Sequence, residues 1–251
     1  MSFWFWHGLR NGIRTTRYPQ VLDSAAGITP GRPLTTEFSS TEEAEAASAI
    51  CPTGAILAHG KKANLILRNC IHCQRCRFDL ATPMTWRSDY EWAGHALNQQ
   101  SHPPLPHQYR QSTHVMIVDA GDCGACLREV KQLNNPFYNM HRLGLFLTAT
   151  PRAADILLVV GPVSENMREP LTKTYDAMPT PKRVIAVGAC AINGGVFGHT
   201  IMSAGGVASV LPVDFEIPGE PPPPLAILHG LLVATGRKSP LSSALLQEYG
   251  T

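Results

Sequence analysis

The sequence contains no apolar run long enough to cross a bilayer. Its longest, "ADILLVV" and "LAILHGLLVA", fall well short of the roughly 18 residues required. It has no cleavable leader ending at a small-residue site and no twin-arginine pair, so the chain is expected to stay in the cytoplasm. Charge is scarce, at 16% Asp, Glu, Lys and Arg with a net of +2. That is too little basic excess to expect nucleic acid as a partner, and it suits a subunit that buries surface against others. Phosphate-loop and dinucleotide fingerprints are missing. The glycine-rich "VGACAINGGVF" does not have the G-x-G-x-x-G spacing. No Ser-His-Asp set stands out, so no catalytic residue is expected. Seven cysteines in 251 residues are too few and too uneven for a disulfide scaffold, and clustered C-x-x-C spacings in a reducing compartment point to metal.

The cysteines that are present are arranged. "NCIHCQRCRFD" puts Cys70, Cys73 and Cys76 three apart. In bacterial ferredoxins the run C-x2-C-x2-C is completed by a cysteine followed by proline, drawn from elsewhere in the chain. Cys51-Pro52 in "ICPTGAI" supplies it. Four soft thiolates suit a 4Fe–4S cluster, with zinc as the alternative. A two-cluster ancestor would have carried its other ligands at the positions of Thr41, Ala44, Ala47 and Leu80, so one complete ligand set is gone and one complete set is kept. His72, inside the loop, reads as a surface side chain.

Five stretches follow from composition. Residues 1–35 begin with the aromatic, basic "FWFWHGLRNGIRTTRYP", either a helix packing on its own domain or a docking segment. Residues 36–85 form a small one-cluster domain, and 86–113, with "SHPPLPHQ", read as a linker. Residues 114–240 alternate apolar strands ("HVMIVDAG", "ADILLVVGPVS", "RVIAVGAC", "VLPVDFEIPG") with helical segments, the mark of an α/β domain with a mainly parallel sheet. Residues 241–251 are a tail. In such sheets ligands sit at the carboxyl ends of strands, where Cys123, Cys126, Cys190 and the turn "PGEPPPP" all fall. Asp119 and Asp122 read as solvated loop carboxylates near this set.

The first 85 residues, through "RTTRYP" and "LILRNCIHCQRC", resemble a ferredoxin-like subunit of formate hydrogenlyase (hydrogenase-4) and complex I-like assemblies. From "HVMIVDAG" to "LLVATG", the features "DAGDCGAC", "VGACAINGGVF" and "VDFEIPGEPPPP" resemble the small subunit of group 4 NiFe hydrogenases and the B-type cluster-bearing subunit of complex I. The resemblance implies an α+β ferredoxin-like cluster domain followed by an α/β flavodoxin-like domain. It implies one 4Fe–4S cluster on Cys51, Cys70, Cys73 and Cys76, and a second on Cys123, Cys126, Cys190 and a fourth position. The family motif there ends Gly-Cys-Pro-Pro, but this chain has Gly219-Glu220-Pro221-Pro222. Three readings of the second site are therefore open: a four-iron cluster with Glu220 on its unique iron, a three-iron cluster, or an empty site. The implied partners are a hydrogenase large-subunit-like or complex I D-type protein and antiporter-like membrane subunits, with the chain peripheral on the inner face of the cell membrane. The implied role is non-catalytic electron transfer in a hydrogenase or quinone-reductase complex. A structural subunit with a redox-inactive second site is the alternative.

Overall fold

The computed structural model describes residues 3–97 and 105–241. Residues 242–251 of the expected tail and 101–104 of "SHPP" lie outside the described residues.

The aromatic N-terminal stretch forms a helix, Phe3–Asn11, that buries none of its residues. Phe3, Trp4, Trp6 and Leu9 are each more than half exposed. The chain then enters the core at Tyr18, whose hydroxyl donates to Glu91 at 2.9 Å.

Helix Thr41–Ile50 starts at a capping box: the Ser40 hydroxyl accepts from the Glu43 amide while the Glu43 carboxylate takes the Ser40 amide. Such reciprocal bonds satisfy two of the orphaned N–H groups at a helix start. The helix lies on a three-stranded antiparallel sheet ordered Thr36–Glu37, Lys62–Leu65, Ile56–His59. Its buried face is Ala44 and Ala47, both fully excluded from solvent, and Leu80 packs on the same core. Three of the positions where a second ferredoxin cluster would need thiolates are thus taken up by core side chains.

The larger half is a six-stranded sheet. Its order is Gly94–His95, Phe215–Ile217, Arg183–Val187, Ile156–Val160, Thr113–Asp119, Leu145–Leu147, with all neighbours parallel except the first pair. Counting the parallel strands along the chain gives the order 2-1-3-4-5, one of the two common doubly wound arrangements. Ile156–Val160 and Arg183–Val187 are buried at every residue, as strands covered on both faces must be. Helix Pro224–Ala234 is buried all round. Gly230 allows its close approach, because a Cβ there would stand 2.3 Å from Ile217 Cδ1.

Residues 86–97, the start of the stretch read as a linker, are packed. Trp86–Arg87 pairs with Arg32–Pro33, and Gly94–His95 adds an antiparallel edge to the large sheet. Between them Trp92 is fully buried and its indole N–H donates to the Pro218 carbonyl at 2.9 Å. A polar-looking segment becomes core because its few apolar residues, Trp92 and Ala93 among them, land where the two halves meet. One apolar cluster runs from Tyr18 and Ala47 through Trp92 to Ile217 and Leu228. The halves are joined further by Arg68, whose guanidinium makes two bonds to Glu216 at 2.8 and 3.1 Å, and by Asn193 donating to Asn69 at 2.6 Å.

His229 sits in this seam with 1% of its surface exposed and accepts the Ala93 amide on Nδ1 at 3.2 Å. Burial holds its pKa down to about 4 from an ordinary 6.5. A histidine that is depressed on folding binds a proton more readily when unfolded. Its stabilising contribution is therefore complete above about pH 6.5 and is lost as pH falls toward 4. The expected result is a wild-type melting temperature that drops over that window more steeply than in His229→Gln, whose side-chain oxygen can still accept the amide. Parallel curves would contradict it.

Candidate metal centres

Cys51 ends helix Thr41–Ile50, its amide bonded to the Ser48 carbonyl. Cys70 follows the short turn Leu67–Asn69, and Cys76 lies in the single helical turn Arg75–Phe78. Between them His72 and Gln74 both adopt left-handed backbone angles, φ +52° and +64°, winding the loop tightly enough to present cysteines every third residue to one side. The result is one cavity lined by Cys51, Cys70, Cys73 and Cys76, closed by Pro33 and Trp86. Backbone amides point at its sulfurs: Ala55 donates to Cys51 Sγ at 3.3 Å and His72 to Cys70 Sγ at 3.4 Å. All four thiols are free of disulfides. Burial pushes Cys70 up to about 12 and Cys76 up to about 11, with neighbouring thiols adding to the effect. Cys73 is exposed.

The second group stands at the carboxyl ends of three parallel strands. Cys123 and Cys126 follow Thr113–Asp119, with Cys126 in helix Ala125–Gln132; Cys190 lies in Ala189–Asn193 after Arg183–Val187; Glu220 follows Phe215–Ile217. Glu220 reaches into the cysteines. Its Oε1 accepts from the Cys126 thiol at 3.4 Å and its Oε2 from the Cys190 amide at 3.1 Å. Burial raises the pKa values of both Cys126 and Cys190, and the Glu220 carboxylate raises them further. Cys123 is exposed. The loop is held by carboxylates that sequence reading took to be merely solvated. Asp119 accepts the Gly121 and Asp122 amides at 3.0 and 2.8 Å, and Asp122 accepts those of Gly124 and Leu127 at 2.9 and 3.0 Å. Among the described residues, ligand atoms of Asp122, Cys123 and Glu220 gather within 4.8 Å of one another. Gly188 is obligatory here: it has φ +90°, and a Cβ on it would lie 2.5 Å from Cys126 Sγ.

His72 departs from its expected place on the surface. It is 7% exposed, and its ring lies 4.8 Å from that of Trp92. Burial lowers its pKa to about 4, so it is neutral at pH 7. Nothing in the spacing of the loop marks it. The signal is Trp92, twenty residues on, which no local pattern links to it.

Residues 123–234 match the family NADH ubiquinone oxidoreductase, 20 Kd subunit. The chain is 41% identical over 124 residues to the probable membrane-bound hydrogenase subunit mbhJ of Pyrococcus furiosus, spanning 49% of this chain and 74% of that one. It belongs to this family. Over 125 residues it is 43% identical to an uncharacterised protein of Methanocaldococcus jannaschii, spanning 49% of this chain and 82% of the other. Over 127 residues it is 39% identical to formate hydrogenlyase subunit 7 of Escherichia coli, spanning 51% of this chain and 50% of that one. The family match contains every residue of the second group and none of the first. The family is thus one of oxidoreductase subunits, and the relatives it brings include subunits of formate hydrogenlyase and of a membrane-bound hydrogenase. Among the described residues no helix is long and apolar enough to cross a membrane.

Proposed function

We propose that the chain is an electron-transfer subunit of a membrane-associated hydrogenase-4-like or complex I-like complex, joining a ferredoxin-like domain to a flavodoxin-like one and relaying electrons between two iron–sulfur sites. The observation that carries this reading is four free thiols around one cavity, built on the same apolar core as a second set of thiols at strand ends.

The donor sets fit such groups. Four thiols, two of them with backbone amides aimed at their sulfurs, suit iron–sulfur chemistry, in which ligand type and hydrogen bonds to sulfur set the potential. Soft thiolates at the C-x2-C-x2-C and Cys-Pro spacing of ferredoxins favour a polynuclear group over zinc at Cys51, Cys70, Cys73 and Cys76. At the second site Cys123, Cys126 and Cys190 would hold three corners and Glu220 the fourth. Oxygen is a harder donor than thiolate, so that corner is the labile one. An iron–sulfur group bound at either site supplies one-electron storage and release.

The chain's own residues supply the rest. Cys73 and Cys123 are the exposed ligands, one for each site, and so mark where electrons enter and leave. The buried seam between the sites excludes water. A hydrogenase large-subunit-like or complex I D-type protein is the partner expected at Cys123. The exposed aromatic helix Phe3–Asn11, with Arg10, Arg14 and Arg17 and no acidic residue before Asp23, is suited to dock beside membrane subunits on the inner face of the membrane. One observation favours the alternative of a structural subunit with a redox-inactive second site: Glu220 is already satisfied by Cys126 and Cys190.

The test is stepwise reduction of the anaerobically purified chain. Two one-electron centres are expected, and uptake of no electrons would contradict the reading. Gly188→Ala should remove the second centre alone, because its Cβ displaces Cys126 Sγ. Retention of both centres at wild-type occupancy would refute that role.

A further inference from the structure

His72 belongs by sequence to the first cysteine loop and by packing to the second site. Its neighbour Ile71 lines the first cavity and His72 does not. The ring turns the other way, onto Trp92, whose indole N–H is fixed by the Pro218 carbonyl. From there it bears on the next residue, Gly219. A Cβ on Gly219, at φ +129°, would stand 2.9 Å from His72 Nδ1. Gly219 is also the residue before Glu220, and its carbonyl lies 3.3 Å from where a Gly188 Cβ would meet Cys126. One glycine therefore separates the imidazole from the second site's acidic corner.

Neither ring nitrogen has a hydrogen-bond partner in the protein, although both are buried. Burying an unpaired polar group is unfavourable, and an apolar residue of the same size would pack on Trp92 without that penalty. Packing alone does not account for an imidazole here. A partner outside the chain's own atoms does, and the ring stands against Gly219, the backbone that carries Glu220 into the second site.

Resting on the two-site reading above, we propose that His72 is a positioning residue of the second site that donates a hydrogen bond to the group held there. A donor to a metal site's sulfur stabilises its more negative, reduced state and raises its potential. The loop of one site thus tunes the other, through a residue that no spacing rule assigns to it.

The test is a potentiometric EPR titration of the full chain carrying His72→Phe, which keeps a ring against Trp92 but has no N–H, beside His72→Gln, which keeps a donor. In His72→Phe the second site's midpoint should move to lower potential while the first site's stays at the wild-type value. His72→Gln should restore part of the shift. A second-site midpoint unchanged in both variants, with both signals intact, overturns the assignment and leaves the two-site reading standing. A shift confined to the first site overturns it likewise. Absence of any second-site signal from the wild-type chain overturns both.

Discussion

Replacing Cys51 by Ala is expected to abolish the EPR signal of the first site or convert it to that of a three-iron species, while the second site's signal persists. Cys51 comes from a different element than the three cysteines of the loop. It sits at the end of helix Thr41–Ile50, where the Ala55 amide donates to its sulfur at 3.3 Å. The loop of Cys70, Cys73 and Cys76 can arrange three corners by itself through the left-handed turns at His72 and Gln74, but it has no fourth thiol within reach. Alanine leaves a cavity of one sulfur atom at a helix end and disturbs little else, so the loss should be specific. An unchanged first-site signal in this variant would remove Cys51 from the ligand set.

Replacing Arg68 by Ala is expected to cost about 3–5 kcal/mol of stability, the range for stripping one partner from a buried ion pair. Glu216 has 4% of its side chain exposed and depends on Arg68, itself 19% exposed, for two charge-assisted bonds. Burial raises the pKa of Glu216 even with Arg68 beside it. The pair spans the seam between the small sheet's half and the large sheet, so its loss should loosen both sites together. Denaturant unfolding of the full chain measures the effect. The double variant Arg68→Met, Glu216→Leu should recover most of it, since apolar replacement of a buried pair is often neutral. A loss of under about 1 kcal/mol in Arg68→Ala would mean that the pair is solvated.

The long strands of the large sheet were legible because each is an apolar run stopped by a turn. "HVMIVDAG" became Thr113–Asp119, and "RVIAVGAC" became Arg183–Val187 with Cys190 just past its end. Strands Leu145–Leu147 and Gly94–His95 were not legible. They are two or three residues long and exist because a neighbouring strand offers an open edge. Spacing named the four thiols that line the first cavity, while Cys123, Cys126, Cys190 and Glu220 were named by resemblance, and of these Glu220 bonds to Cys126 and Cys190. Spacing could not show that the first loop also packs against Gly219, the residue before Glu220. His72 turns over because its backbone is left-handed and Trp92 receives it, and both depend on packing between segments remote in sequence. Asp122 was visible, but its work of holding the Cys123–Cys126 loop appears only once the amides of Gly124 and Leu127 are seen to point at it.

Measuring iron, acid-labile sulfide and zinc in the anaerobically purified full chain, alongside its EPR spectrum after reduction, tests whether it holds iron–sulfur groups at two sites on one core. The prediction is about four irons and as many sulfides from the first site alone, more than that in total, no stoichiometric zinc, and two distinguishable signals. A chain carrying one zinc and no sulfide, silent by EPR, would contradict it.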